Sequence, residues 1–192
     1  MIAWTSAEPV PDLPLLGPLR HRLANAVAPL SVLAELAGEG APLDDVTPAA
    51  VRCVAKVERI CALIGALTGR QLLPRNTGEA VRLVVQGELP NDDFVRNVVG
   101  EWAVNAKRAG ALLGTVQVRD AEGGLELLWD DDGKGFDTTE WLGGHAPQGE
   151  GSCGLGLAVI AAEARRRGGL LQIASENGAR IRLFLPDTFI GA

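Results

Sequence analysis

Tyrosine is absent from this chain of 192 residues, and the other aromatics are sparse, with four phenylalanines and four tryptophans. Leucine, valine and alanine must therefore carry the core. Cysteine is scarce as well. Cys53, Cys61 and Cys153 are too few and too widely spaced for the disulfide framework of a small secreted domain, and they read as reduced thiols. No stretch reaches the ~18 uncharged apolar residues of a membrane span, and the opening MIAWTSAEPVPDLP lacks the basic-then-apolar order of a signal peptide. The cytoplasm is the expected location, with no membrane partner. Basic clusters are missing too: 18 Lys and Arg against 24 Asp and Glu leave a net charge of −6 and no dense cationic patch, which argues against a nucleic-acid partner. What remains, 47% hydrophobic and 22% charged, is a globular chain.

Glycine, 24 residues in all, is concentrated after residue 110, whereas the first third runs in long apolar helical stretches. That shift suggests two parts. Residues 1–15 carry three prolines and read as a flexible lead-in. Leu16, Leu19, Leu23, Val27, Leu30, Leu33 and Leu36 recur in steps of three and four, the first six within about 120° on one face of a helix ending at Gly38 and Gly40. Thr47-Pro48 has the form of a cap and first turn for a second helix carrying Val54, Val57, Ile60, Cys61, Ile64 and Leu67. A hairpin over 16–72 cannot enclose a core alone. It is expected to pair with a copy of itself through residues 16–69 as a four-helix bundle, or to pack on the rest of the chain.

Residues 73–79 read as a linker, and the pattern changes after them. Ala80–Gln86 alternates like a strand, with Val81, Leu83 and Val85 on one side; Asp92 to Ala111 reads as a helix. Strands are expected over Thr115–Arg119, Leu125–Trp129, Leu170–Ser175 and Ala179–Leu185, and a helix over Leu155–Arg167. The fold class that follows is α+β: a two-helix hairpin, then over 80–187 an α/β sandwich whose mixed sheet is covered by helices, with a tail at 188–192.

Four local features bear on chemistry. On a helical wheel with Leu19 at zero, His21 and Asn25 fall at about 200° and 240°, one turn apart and away from the apolar stripe. An accessible imidazole beside a neutral amide suits phosphoryl transfer, although a surface histidine without a role has the same pattern. Glu101 and Asn105 share an otherwise apolar arc with Phe94, Val98 and Trp102; a carboxylate and an amide oxygen one turn apart suit Mg²⁺, and a hydrogen-bonded core pair would look alike. Asp131-Asp132-Gly133-Lys134-Gly135-Phe136 follows a strand, where a carboxylate and alternating glycines admit a flat ligand such as adenine, though such loops are also common turns. Gly151-Ser152-Cys153-Gly154-Leu155-Gly156 leads into a helix and offers backbone N–H groups to phosphates. Neither a Walker loop nor a dinucleotide fingerprint is present.

Taken in order, these features resemble the histidine kinases of two-component signalling, with their GHKL-type ATP-binding domain. His21-Arg22-Leu23-Ala24-Asn25 resembles the His-Arg-x-x-Asn phosphoacceptor box, Glu101-x-x-x-Asn105 the asparagine box, Asp131-x-Gly133-x-Gly135 the first glycine box and Gly154-Leu155-Gly156 the second. The resemblance implies ATP and Mg²⁺ as cofactors. Asp131, Gly133, Gly135, Gly154 and Gly156 would hold the nucleotide, Asn105 and Glu101 the metal, and His21 would accept the γ-phosphoryl group with Asn25 and Glu101 assisting. It further implies transfer to an aspartate in the receiver domain of a response regulator docked around Ala28 and Val32, a homodimer, and a separate upstream sensor. The family also contains phosphotransfer proteins with a vestigial ATP domain, the alternative this sequence leaves open alongside a non-catalytic dimeric interaction module. His145 falls in the lid segment, and Cys153, beside the nucleotide, is either a redox handle or a small residue filling a tight loop.

Overall fold

In the computed structural model, residues 8–9, 16–67, 80–135, 137–138 and 156–189 are described. Gly151–Leu155, Phe136 and His145 lie outside them. The elements follow as β1 (Glu8–Pro9), α1 (Leu16–Gly38), α2 (Leu43–Leu67), β2 (Arg82–Gln86), α3 (Asp93–Arg108), β3 (Leu113–Ala121), β4 (Gly124–Asp131), α4 (Gly156–Arg166), β5 (Leu170–Ser175) and β6 (Ala179–Pro186). A 3-10 turn at Asp187–Phe189 follows β6. A helical hairpin followed by a mixed sheet covered by helices is the architecture the sequence implies.

The hairpin turns where the pattern predicts. Gly40 takes φ +87°, and the N–H groups of Ala41 and Gly40 close on the carbonyls of Leu36 (2.9 Å) and Ala37 (3.2 Å), a Schellman end for α1. The second helix starts earlier than Thr47-Pro48. It begins at Leu43, with Asp44 and Asp45 in the first turn facing the positive end of the helix, and Pro48 sits inside it. A proline there forfeits one backbone bond near the terminus, which the helix tolerates. Pro29 likewise lies inside α1.

The apolar stripe of α1 is only half covered: Leu19 and Ala26 are buried, while Val27 and Leu36 stay exposed. In α2 the inner face is rotated from the expected one. Val46, Cys53, Ile60 and Leu63 are buried, and Val54 and Cys61 face out. The buried side of the hairpin joins the sheet's own core, because Leu19, Ile60 and Leu63 cluster with Phe94, Trp102, Val159 and Leu183. Of the two expected arrangements, packing on the rest of the chain accounts for the buried side of the hairpin. One side packs within the chain, and Val27, Val32, Leu36, Val51 and Val54 remain uncovered.

The six-stranded sheet has the order β1-β5-β6-β4-β3-β2, antiparallel throughout except for the parallel pair β2–β3. β6 alternates cleanly, burying Ile181, Leu183 and Leu185 under the helices. The expected alternation of β2 does not become burial. Val81, just before the strand, is buried, but Leu83 and Val85 are exposed because β2 is an edge strand with a neighbour on one side only. Arg167, just beyond α4, braces that helix against the start of α3: its guanidinium stacks over Phe94 at 4.4 Å and approaches Asp92 at 3.8 Å, while Glu163 accepts from Arg166 and Arg167.

Candidate functional site

Asp92 caps α3 by accepting the Val95 N–H at 2.9 Å, and Lys107 and Arg108 close the helix where its negative end favours cations. This amphipathic helix buries Phe94, Val98 and Trp102, and Glu101 with them. A buried carboxylate needs a partner. Arg59 of α2 supplies it, its Nη2 lying 2.7 Å from both Oε1 and Oε2. Gly156, opening α4, comes so close that a Cβ there would sit 2.5 Å from Oε1. Three helices therefore meet at Glu101. Asn105 follows one turn on, half-buried.

The loop after β4 is tied to the end of α3 through backbone groups. Lys134 N–H donates to the Ala109 carbonyl at 3.2 Å, and Asp132 Oδ1 accepts from Leu112 N (2.8 Å) and Leu113 N (3.0 Å). Those two N–H groups hold the Asp132 carboxyl below its ordinary pKa. The ties set Asp132 and Lys134 beside the C-terminal end of α3, the helix that carries Asn105.

Asp131 is buried and closely held. Its Oδ1 accepts from Gly133 N (3.0 Å) and Ala179 N (3.2 Å), and its Oδ2 from Trp129 Nε1 (2.8 Å). Gly135, at φ +68°, and Gly178, at φ +135°, press against one another, and a Cβ on Gly178 would overlap the Asp131 carbonyl oxygen. A carboxylate offers about four acceptor positions, so three bonds leave one on Oδ2 for a ligand N–H.

His21 and Asn25 lie exposed on α1 as expected, with Asn25 Nδ2 3.1 Å from His21 Nε2. With the Asn25 amide nitrogen as donor, Nε2 is the accepting nitrogen of the pair. Gly154, Ser152 and Cys153 are outside the described residues, so of the second glycine box only Gly156 has a place, at Glu101. Sequence reasoning missed Arg59, Trp129 and Gly178. Trp129 had a readable signal, since residues two apart on a strand share a face, and so did Gly178, in Glu176-Asn177-Gly178 before a strand. Arg59 had none.

Among the described residues no group of three or more His, Cys, Asp and Glu side chains could hold a metal ion, and no helix is long and apolar enough to cross a membrane.

Fold and site together define a helical hairpin with an exposed histidine, packed on an α/β sandwich with a mixed sheet whose glycine loop frames a buried aspartate. Among solved structures, the histidine kinase AdeS of Acinetobacter baumannii is similar at 13% identity and a TM-score of 0.55, over 90% of this chain and 98% of that one. A bacterial phosphotransferase is similar at 13% identity and a TM-score of 0.50, over 88% and 93%. The ATP-binding domain of PrrB from Mycobacterium tuberculosis aligns at 26% identity and a TM-score of 0.44, over 57% and 82%. AdeS and the phosphotransferase share the fold across nearly the whole chain. No protein-family model matches the sequence, and no curated protein does so significantly.

Proposed function

We propose that this chain is a cytoplasmic, ATP-dependent protein-histidine kinase that phosphorylates itself on His21 and passes the phosphoryl group to an aspartate of a response regulator. The observation that carries the reading is Asp131, a buried carboxylate with one acceptor position left for the amino group of adenine. On this reading Gly133 and Gly135 would let the base approach Asp131, and Asn105 would face the phosphates. Gly156, at the start of α4, and Gly154 would cover them. Mg²⁺, when bound, neutralises phosphate charge; Asn105 would hold it, joined by Glu101 once Arg59 has moved away.

In the transfer step the Asn25 amide turns from Nε2, and the Nε2 lone pair attacks the γ-phosphorus. An N–P bond forms as the bond to the bridging oxygen breaks, ADP leaves with that electron pair, and the Nδ1 proton passes to solvent. Residues 16–72 act as the dimerisation and phosphotransfer part and 80–187 as the ATP-binding part. Exposed Ala28 and Val32, beside His21 on α1, would receive the receiver domain, and a separate upstream protein would supply the signal.

A second reading, a phosphotransfer protein that relays phosphate without using ATP, is favoured by one observation. Both oxygens of Glu101 are taken by Arg59. The test is incubation with γ-labelled ATP and Mg²⁺. The kinase reading expects an acid-labile, base-stable label that His21→Ala removes and His145→Ala retains. Label arriving only from a phosphorylated receiver domain selects the phosphotransfer reading. Label from neither donor leaves a dimeric interaction module.

A further inference from the structure

We propose that Trp129 is a positioning residue that sets base specificity at Asp131. The inference rests on the nucleotide reading above and concerns a side chain which that reading does not use.

Trp129 and Asp131 stand two apart on β4, so both side chains leave the same face of the sheet. Gly114 lies opposite Asp131 in the antiparallel pair with β3. A Cβ on Gly114 would fall 2.5 Å from Trp129 Cη2 and 2.6 Å from Cζ2, so the bare backbone at Gly114 is what lets the six-membered ring lie along the strand. On its other flank the indole meets Trp102, with centroids 6.0 Å apart and planes at 54°. Both tryptophans are fully buried. The ring is thus held on two sides, and its Nε1–H ends 2.8 Å from Asp131 Oδ2.

The consequence lies in how the acceptor positions are shared out. Oδ1 is occupied by two backbone N–H groups, from Gly133 and Ala179, which would hold the carboxylate even if its plane turned about them. Among the described residues the indole is the only group bonded to Oδ2, and it fixes that plane. With it in place, Asp131 presents a single, aimed acceptor. An exocyclic amino group satisfies it, whereas a carbonyl oxygen at the same ring position would face a carboxylate oxygen with no proton between them. Without the indole, Oδ2 has two open positions, and the carboxylate can turn or admit a water that bridges to a carbonyl.

The test is titration calorimetry of the full chain with ATP and with inosine triphosphate, which carries a carbonyl in place of the amino group. Wild type is expected to prefer ATP by about tenfold to hundredfold, the worth of one charge-assisted hydrogen bond. Trp129→Phe, which keeps an aromatic ring and loses the N–H, is expected to reduce that preference to within about threefold, mainly through weaker ATP binding. A purely structural role would weaken both nucleotides alike. A variant that keeps the preference overturns the assignment of Trp129 and leaves the nucleotide reading standing. Wild type that binds neither nucleotide removes that reading and this one together.

A second measurement needs no folded Trp129 variant. In ¹⁵N-labelled wild type, the indole resonance of Trp129 can be assigned by elimination with Trp4→Phe, Trp102→Phe and Trp141→Phe. It is expected to shift on adding ATP and to stay in place with inosine triphosphate; an indole resonance blind to ATP overturns the proposal.

Discussion

Arg59 and Glu101, on helices of different parts of the chain, form an ion pair through one guanidinium nitrogen held 2.7 Å from each carboxylate oxygen. Glu101 is the more deeply buried of the two. Removing Arg59 leaves a carboxylate in an apolar setting without its cation, which costs about 1–3 kcal/mol, or about 2–12 °C in Tm for a chain of this size. The same change removes the cation that competes with a divalent metal at Glu101. Arg59→Ala is therefore expected to melt earlier and yet bind Mg²⁺-ATP more tightly than wild type. Thermal melts and calorimetry read the two effects separately, and unchanged nucleotide affinity would show that Glu101 takes no part in metal binding.

Asp131→Asn is expected to weaken ATP binding by about tenfold to hundredfold, the loss of one charge-assisted bond of about 1.5–3 kcal/mol. The structure adds a second effect. An amide has one acceptor oxygen where Asp131 uses two, so its NH₂ must face either the Trp129 N–H or the pair from Gly133 and Ala179. A lower Tm should accompany the loss of affinity; equal ATP affinity in calorimetry would remove Asp131 from the nucleotide site.

Glu163 yields a prediction in pH. Burial alone would raise its pKa, but the hydrogen bonds and charges of Arg166 and Arg167 outweigh burial and hold it below its ordinary 4.5. A carboxyl depressed on folding contributes its stability fully above the unfolded value and loses it as pH falls through the folded one. Glu163→Gln should thus be less stable than wild type at pH 7, by about 1–3 kcal/mol, with the gap closing below about pH 4. Urea midpoints across pH 3–7 check this, and a gap independent of pH would contradict the charge argument.

On the hairpin, Val27, Val32, Leu36, Val51 and Val54 stay exposed at 41–62% of their surface. Exposed apolar side chains on two adjacent helices suit self-association. Wild type is expected to scatter light as a dimer at micromolar concentration, and Val51→Glu with Val54→Glu as a monomer with an unchanged circular-dichroism spectrum. A wild-type monomer would assign these side chains to another partner.

Legibility in the sequence followed the range of the forces involved. β5 has the bounds its alternation implies, and β4, β6, α3 and α4 differ by a few residues, because period and cap chemistry are local. The pairing of His21 with Asn25 was readable for the same reason, being one helical turn. The face of α2 was not. Val54 and Cys61 belong to an apolar run, but which residues of such a run turn inward depends on α4 and the sheet, which lie far along the chain. Arg59 looked like any solvated cation until α3 arrived opposite it. Glu101 was identified as a polar group in an apolar arc, and what satisfies it came from a part of the sequence with no motif.

β1 precedes the hairpin in sequence, yet it pairs with β5, Glu8 opposite Ile173 and Pro9 opposite Gln172. Of the two strands β1 is made first, and it waits for β5. Closing so long a loop carries a large entropy cost, and non-local strand pairs form slowly for that reason. The pairing should be a late event in folding, after the α/β sandwich has formed on its own local hairpins. Until then the outer edge of β5 lies open to strands of other chains, and concentration during refolding, more than the stability of the finished molecule, should decide the yield of soluble protein.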